Sequence, residues 1–247
     1  MATTLFTSLT EEDKSRAIER LIKDSTPRDD FFLMILLSIL MASFGLLMND
    51  VAIVIGSMLI APILSPVMSL SLGVVIADSK LMLRSAYTIA KSVLVAIPAA
   101  TAVTLLFASQ VELGSGLNPE ILTQTEPSIM FVAVAVVAGF AASFALIKPQ
   151  LSDTLPGVAI SVALIPPLAA TGIGLAQLNA DVISGALILF LVNAAAISFA
   201  SIITFSFMNL YVKRNVAEVA VEKEDLAMEQ EVEKAKRETK SRSNPTS

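Results

Sequence analysis

Apolar and polar positions divide the chain into six long apolar runs joined by short polar connections, at residues 30–48, 51–77, 81–109, 128–147, 155–178 and 182–211. A run of about 18 residues with few charges signals a membrane-spanning helix, and a hydrocarbon core of about 30 Å needs about 20 helical residues. Each run meets that length, so the pattern predicts six spanning helices. Two runs are longer than the core requires and must tilt, kink or protrude. The remaining chain is polar. Residues 1–29 form a tail in which Thr10-Glu11-Glu12-Asp13 can start a short helix that Thr26-Pro27 would end. Residues 212–247 read as a charged helix with a disordered end. Lys223 and Gln230 fall in the seam of that helix's heptads, which weakens any coiled coil.

Paired prolines interrupt the pattern at two places. Pro62 and Pro66 stand in the middle of the second run, and Pro166 and Pro167 in the fifth. A proline in a helix interior removes a donor, clashes with the preceding turn and costs roughly 3 kcal/mol. "MLIAPIL" at residues 58–64 aligns with "ALIPPLA" at residues 163–169, placing Pro62 over Pro167. The match makes each interrupted run the second span of a three-span half, residues 30–109 and 128–211. With an odd number of spans per half, the halves enter the membrane in opposite senses. They would be related by a pseudo-two-fold axis in its plane, an architecture that recurs in transporters. The expected fold is an all-α, polytopic integral membrane protein of about six helices in two inverted three-helix repeats, the second and fifth helices interrupted.

A break at mid-span frees carbonyls and N–H groups that hydrocarbon cannot solvate. The carbonyls suit a cation or donor, and the N–H ends an anion. Small neighbours let a solute approach: Gly56, Ser57, Ala61 and Ser65 in the first half, and Ala170, Thr171, Gly172 and Gly174 in the second. The candidate substrate-binding residues are therefore Gly56, Ser57, Pro62, Ser65, Pro66, Pro166, Pro167, Thr171 and Gly172, with Lys91 and Asn193 added. The plain alternative is that the prolines only kink the helices for packing. Lys91, seven residues beyond Arg84, has two readings. It is a buried functional cation if the third span enters near Leu81, and an interfacial snorkelling residue if the span enters at Lys91. Asn193, central in the sixth run, either bridges helices or contacts a ligand. Ala135/Gly139, Ala138/Ala142, Ala141/Ala145 and Ala196/Ala200 are small-residue pairs at close-packing spacing, within a subunit or between subunits.

Composition sharpens the picture. Of the 247 residues 55% are hydrophobic and 16% charged, against about 25% charged in soluble domains. The chain has no Cys and no His. That removes thiolate nucleophiles, Ser-His-Asp triads and HExxH zinc sites, so neither enzymatic activity nor a cofactor or metal site is expected. The 17 basic residues all fall in the two tails, near Lys80–Lys91 or at Lys148, on alternate connections. By the positive-inside rule both termini are cytoplasmic, in a multi-pass protein of the cell inner (plasma) membrane. No basic patch suggests nucleic acid. The expected partners are the lipid bilayer, a small solute or ion, and further copies of the chain as a homo-oligomer.

At "IGSMLIAPILSPVMSLSLG", "TEPS", "LPGVAISVALIPPLAATGIGLA" and "ALILFLVNAAAISF" the chain resembles a prokaryotic family known as domain of unknown function 389, over roughly residues 31–203. The resemblance implies a polytopic membrane fold and supplies no activity. The family pattern has Arg-Thr-x-Pro before the fourth span, where this chain carries Gln124-Thr125-Glu126-Pro127. The leading expectation is a channel or secondary transporter for a small solute or ion. The alternative is a non-transporting scaffold or sensor acting through oligomerisation and its tails.

Overall fold

The structure is a computed structural model and describes residues 10–107, 118–148, 151 and 164–243. Helix α1 (Glu11–Asp24) starts with a capping box, the Asp13 N–H donating to Thr10 Oγ1 and the Thr10 N–H to the Asp13 carboxylate. Its apolar positions Ala17, Ile18, Leu21 and Ile22 recur at helical spacing and are buried. Then follow α2 (Asp29–Leu47), α3 (Val51–Ile60), α4 (Leu64–Val75), α5 (Ser79–Leu106), the short α6 (Pro119–Thr123), α7 (Ile129–Ile147), α8 (Ile165–Ala176) and α9 (Ala180–Phe207). A 3₁₀ turn at Leu210–Lys213 leads into α10 (Arg214–Ser243). Three residues of the C-terminal stretch expected to be disordered thus belong to α10, and residues 244–247 lie outside those described.

Among the described residues, α2, α5, α7 and α9 are each long and apolar enough to cross a membrane. The pair α3–α4 is long and apolar enough only when taken together, and it is bent by 50° at Ala61-Pro62-Ile63, as a broken span or a re-entrant loop is. The interruption expected in the second run is therefore present. In the fifth run only α8 is described. The matching interruption was expected at Pro166-Pro167, where α8 begins, at Ile165; residues 152–163 before it lie outside the described set.

The hairpins α4–α5 and α8–α9 share one construction. Leu64 corresponds to Ile165, Val75 to Ala176, Ser79 to Ala180 and Leu106 to Phe207, a constant displacement of 101 residues. Each corner contains a left-handed residue, Ala77 or Leu178, both at φ 54°. The next residue, Asp78 or Asn179, accepts the first free N–H groups of the following helix with its side chain. Its own N–H reaches back 2.9 Å to the carbonyl of Gly73 or Gly174, closing a Schellman-type turn. Glycine is required there by close approach. A Cβ on Gly73 would lie 3.0 Å from the Met82 backbone N, and one on Gly174 2.8 Å from Val182 Cγ1. This register places Pro66, not Pro62, over Pro167. The sequence alignment was displaced because apolar stretches of low complexity match one another in several frames.

The prolines at the starts of α4 and α8 are well tolerated. Pro66, Pro166 and Pro167 occupy the first turn, where a missing N–H has no intrahelical acceptor to lose. Only Pro62 stands at the bend itself.

Two hydrophobic clusters hold the molecule. One joins α2, α3, the second half of α5 and the first half of α8 to α7 and α9, around Ile35, Ile39, Ala100, Leu168 and Ile197. The other joins α4 to the tail helices, with Met68, Leu72 and Ile76 packed among Ile18, Leu21, Ala217 and Val221. The small-residue faces are used inside the chain. Ala135, Ala138, Gly139, Ala142, Ala196 and Ala200 are buried, and a Cβ on Gly139 would lie 2.9 Å from Ala200 Cβ. A buried Ser143–Ser201 hydrogen bond of 2.9 Å closes that α7–α9 contact.

Candidate functional site

The bend at Pro62 opens on a cleft of about 320 Å³. Pro62 and Ser65 line it from the broken span, Asp30, Phe31 and Met34 from the start of α2, and Lys23, Asp24, Thr26 and Arg28 from the end of α1 and the linker. Sequence reasoning picked out the proline and serine but missed the charged wall, because α1 and the linker come into contact with the bend only through tertiary packing. Asp30 turns its carboxylate onto the Phe31 N–H at 2.9 Å. Burial pushes the Asp24 carboxyl above its ordinary range, with Glu224 adding to the effect and Arg20 and Lys23 opposing it.

On the far side of the bend the surroundings are apolar. Ala61 and Ile63 belong to the same buried cluster as Leu164, Ile165 and Leu168 at the start of α8. Pro166 and Pro167 are buried beside them. The bend and the start of α8 thus belong to one extended buried apolar cluster, while only Pro62 and Ser65 also line the cleft.

Several helical carbonyls near the prolines also accept side-chain hydroxyls. Ser38 Oγ donates 2.7 Å to the Ser57 carbonyl, one turn before the bend, and Ser57 Oγ donates to the Val54 carbonyl. In the second half, Thr171 Oγ1 donates to the Pro167 carbonyl at 2.8 Å, and Thr101 Oγ1 to the Gly172 carbonyl at 3.0 Å. Gly172 permits close approach of α8 to α5, since a Cβ there would meet Ala100 Cβ at 2.4 Å. Gly56 is less constrained; its added Cβ would meet the flexible end of Met41 at 2.7 Å.

Lys91 lies outside this group. Its ammonium stands 4.0 Å above the Phe32 ring, beside the first turn of α2. Three residues earlier, Thr88 Oγ1 reaches the Ser25 carbonyl of the linker at 3.4 Å. The first three turns of α5 therefore run past the end of α2 toward the tails, and Lys91 sits at the level where α2 begins. Asn193 is buried in α9, where the 101-residue register sets it against Ser92 rather than Lys91.

Beyond the cleft the tails are clasped to the core. Arg84 donates through Nη1 to Asp225 at 2.7 Å and to the Val221 carbonyl, and through Nη2 to Thr26 Oγ1 at 2.8 Å. Arg28 pairs with Glu224, and Lys80 with Asp225 at 3.1 Å. At the other end, Lys14 and Lys213 hold Glu11 and keep its carboxyl below the ordinary range.

The family model described as Domain of unknown function (DUF389) matches residues 58–199. An uncharacterised protein of Methanocaldococcus jannaschii is 32% identical over 213 residues, covering 83% of this chain and 65% of that protein. This chain thus spans less than two thirds of the relative's length. No solved structure matches the chain at a significant level.

Proposed function

The chain belongs to the DUF389 family, and on that premise we propose that it is a gated channel or secondary transporter for a small solute or ion. The observation that carries the reading is the 50° bend at Pro62, opening on a charged cleft with an apolar barrier behind it. A pathway open to one side and shut on the other is what alternating access requires, and a passive anchor has no use for it. Six spans follow if α8 is the second half of a broken fifth span. The common build of the α4–α5 and α8–α9 hairpins then supports two inverted halves. The placement of the basic residues supports cytoplasmic termini in the plasma membrane. No enzymatic step is assigned. The small residues Ala135, Ala138, Gly139 and Ala142 are buried within the chain, whereas Ala141 stays exposed on α7 and free for a homo-oligomer contact.

Flux into proteoliposomes tests this, using a panel of inorganic ions and small metabolites. Uptake above protein-free vesicles by wild type, changed severalfold by Pro62→Ala, supports transport. A folded protein that moves nothing in the panel argues against it.

A second reading, a membrane scaffold or sensor working through its tails, is favoured by the Arg84–Asp225 and Arg28–Glu224 clasp. Truncation after Lys213 separates the two, abolishing function in a tail-driven sensor while leaving basal flux in a transporter.

A further inference from the structure

The paired hairpins differ in chemistry where they agree in shape. The first carries Ser65, Ser69, Ser71, Ser85 and Thr88 where the 101-residue register gives the second Pro166, Ala170, Gly172, Ala186 and Leu189. The hydroxyls are not needed to build the hairpin, since residues without one fill the corresponding places in its partner, alanine among them at 170 and 186.

Most hydroxyls of the first hairpin are satisfied locally. Ser71 donates to the Val67 carbonyl, Thr88 to the Arg84 carbonyl and Ser92 to the Thr88 carbonyl. Ser69 and Ser85 differ. They are 0% and 1% exposed, and among the described residues neither Oγ has a hydrogen-bond partner. Leaving a buried hydroxyl unpaired costs about 1–3 kcal/mol, although back-bonding to the carbonyl four residues earlier is ordinarily open to a helical serine. Two such groups in one hairpin call for a partner.

Their placement supplies one. Gly73 of α4 packs against Met82 of α5. One helical turn from that contact, back along α4 and forward along α5, lie Ser69 and Ser85, so both face the seam between these antiparallel helices. One turn further along α4 is Ser65, in the wall of the cleft at Pro62. The serines form a ladder from the cleft into the seam.

We infer that the α4–α5 seam holds a water-sized hydrogen-bonding guest between the Ser69 and Ser85 hydroxyls, admitted from the cleft past Ser65, and that only the first half has this polar branch. The guest is water or a neutral polar molecule of its size: each hydroxyl both donates and accepts, and the charged groups stay at the mouth, on Lys23, Asp24, Arg28 and Asp30. In purpose, as the wetted wall of a pathway, the site rests on the transport reading. Its wetness is tested without flux.

The chain is naturally free of cysteine. Ser69→Cys and Ser85→Cys, with Ala170→Cys and Ala186→Cys as matched controls, are made in the full chain in membranes. Each is treated with methyl methanethiosulfonate and, separately, with a bulky charged thiol reagent, and read by mass. The serine-site cysteines are expected to react with the small neutral reagent at least tenfold faster than the alanine-site cysteines, and the bulky reagent to reach neither pair. Equal rates in both hairpins would overturn the inference. Because a cysteine variant can misfold, X-ray hydroxyl-radical labelling gives a second reading. Met82 beside the seam is expected to be oxidised in wild type and protected in the Ser69→Ala/Ser85→Ala double variant; equal oxidation overturns the inference. Fast labelling without flux leaves the wet seam and removes transport, whereas flux with a dry seam does the reverse.

Discussion

Arg84 Nη1 and Asp225 Oδ1 lie 2.7 Å apart although 141 residues separate them in the chain. The arginine side chain is 10% exposed and the aspartate 34%. The pair thus sits between a screened surface bridge and a desolvated one, and removing one partner strands a mostly buried guanidinium. Asp225→Ala is expected to cost about 1–3 kcal/mol of tail docking. Limited trypsin digestion of the membrane-embedded protein checks this, with cleavage in α10 accelerating while the spans stay protected. Arg84→Lys is expected to recover only part of the loss, since lysine cannot hold Asp225, the Val221 carbonyl and Thr26 together.

Close packing at α8 gives a sharper contrast. Gly172→Ala is expected to lower stability by about 1–3 kcal/mol through overpacking against Ala100 and the Ile97 carbonyl. Gly56→Ala meets only the end of a methionine and is expected to change the melting temperature little. Thermal unfolding of both variants in one detergent compares them directly. Comparable losses would refute the assigned contacts.

Asp24 sets a pH dependence. Its folded-state value lies above the ordinary carboxylate value of about 3.9. The docked tail therefore binds more protons than the free one. Docking weakens as pH rises through the window between the ordinary and the raised value, and the full cost is present above it. Asp24→Asn is expected to tighten tail docking at neutral pH and to flatten that part of the profile. Protease protection of α1 and α10 measured between about pH 4 and 7 checks both effects. Glu11 acts oppositely: its lowered value contributes stability above the ordinary carboxylate range, lost on acidification.

Lys91 tests where the third span enters the bilayer. A cation over an aromatic face at an exposed site is worth about 0.5–1 kcal/mol. Lys91→Gln is expected to lose about that much and to insert normally. Loss of insertion or of all flux would restore the buried reading.

Much of the fold was legible where a residue type has one dominant local use. Thr10 and Asp13 announced the capping box, Pro62 the bend, and the apolar runs the long helices. The sequence did not reveal features decided by distant neighbours. The depth of Lys91 depends on Phe32 lying beside it, and the clasp on an aspartate 141 residues away. The register of the repeat was hidden because apolar residues pair indifferently, whereas the corners at Ala77-Asp78 and Leu178-Asn179 fix it through backbone geometry. Of the candidate site, Pro62 and Ser65 reach a cleft, Lys91 sits apart, and the prolines of α8 abut an apolar wall. The charged side of the cleft was invisible because its residues belong to a tail read as separate.

Helix α5 joins the packed contact at Gly172 and Thr101 to the clasp at Arg84 without a break. Those ends are about 25 Å apart along one continuous helix, which carries Pro98 inside it close to the Thr101 end. A rocking of about 10° about the Thr101 contact would swing Arg84 by about 4 Å, enough to unhook its aspartate. Motion within the hydrocarbon would thus be magnified into a visible displacement on the aqueous side, and a grip on the tail would in turn restrain the buried end.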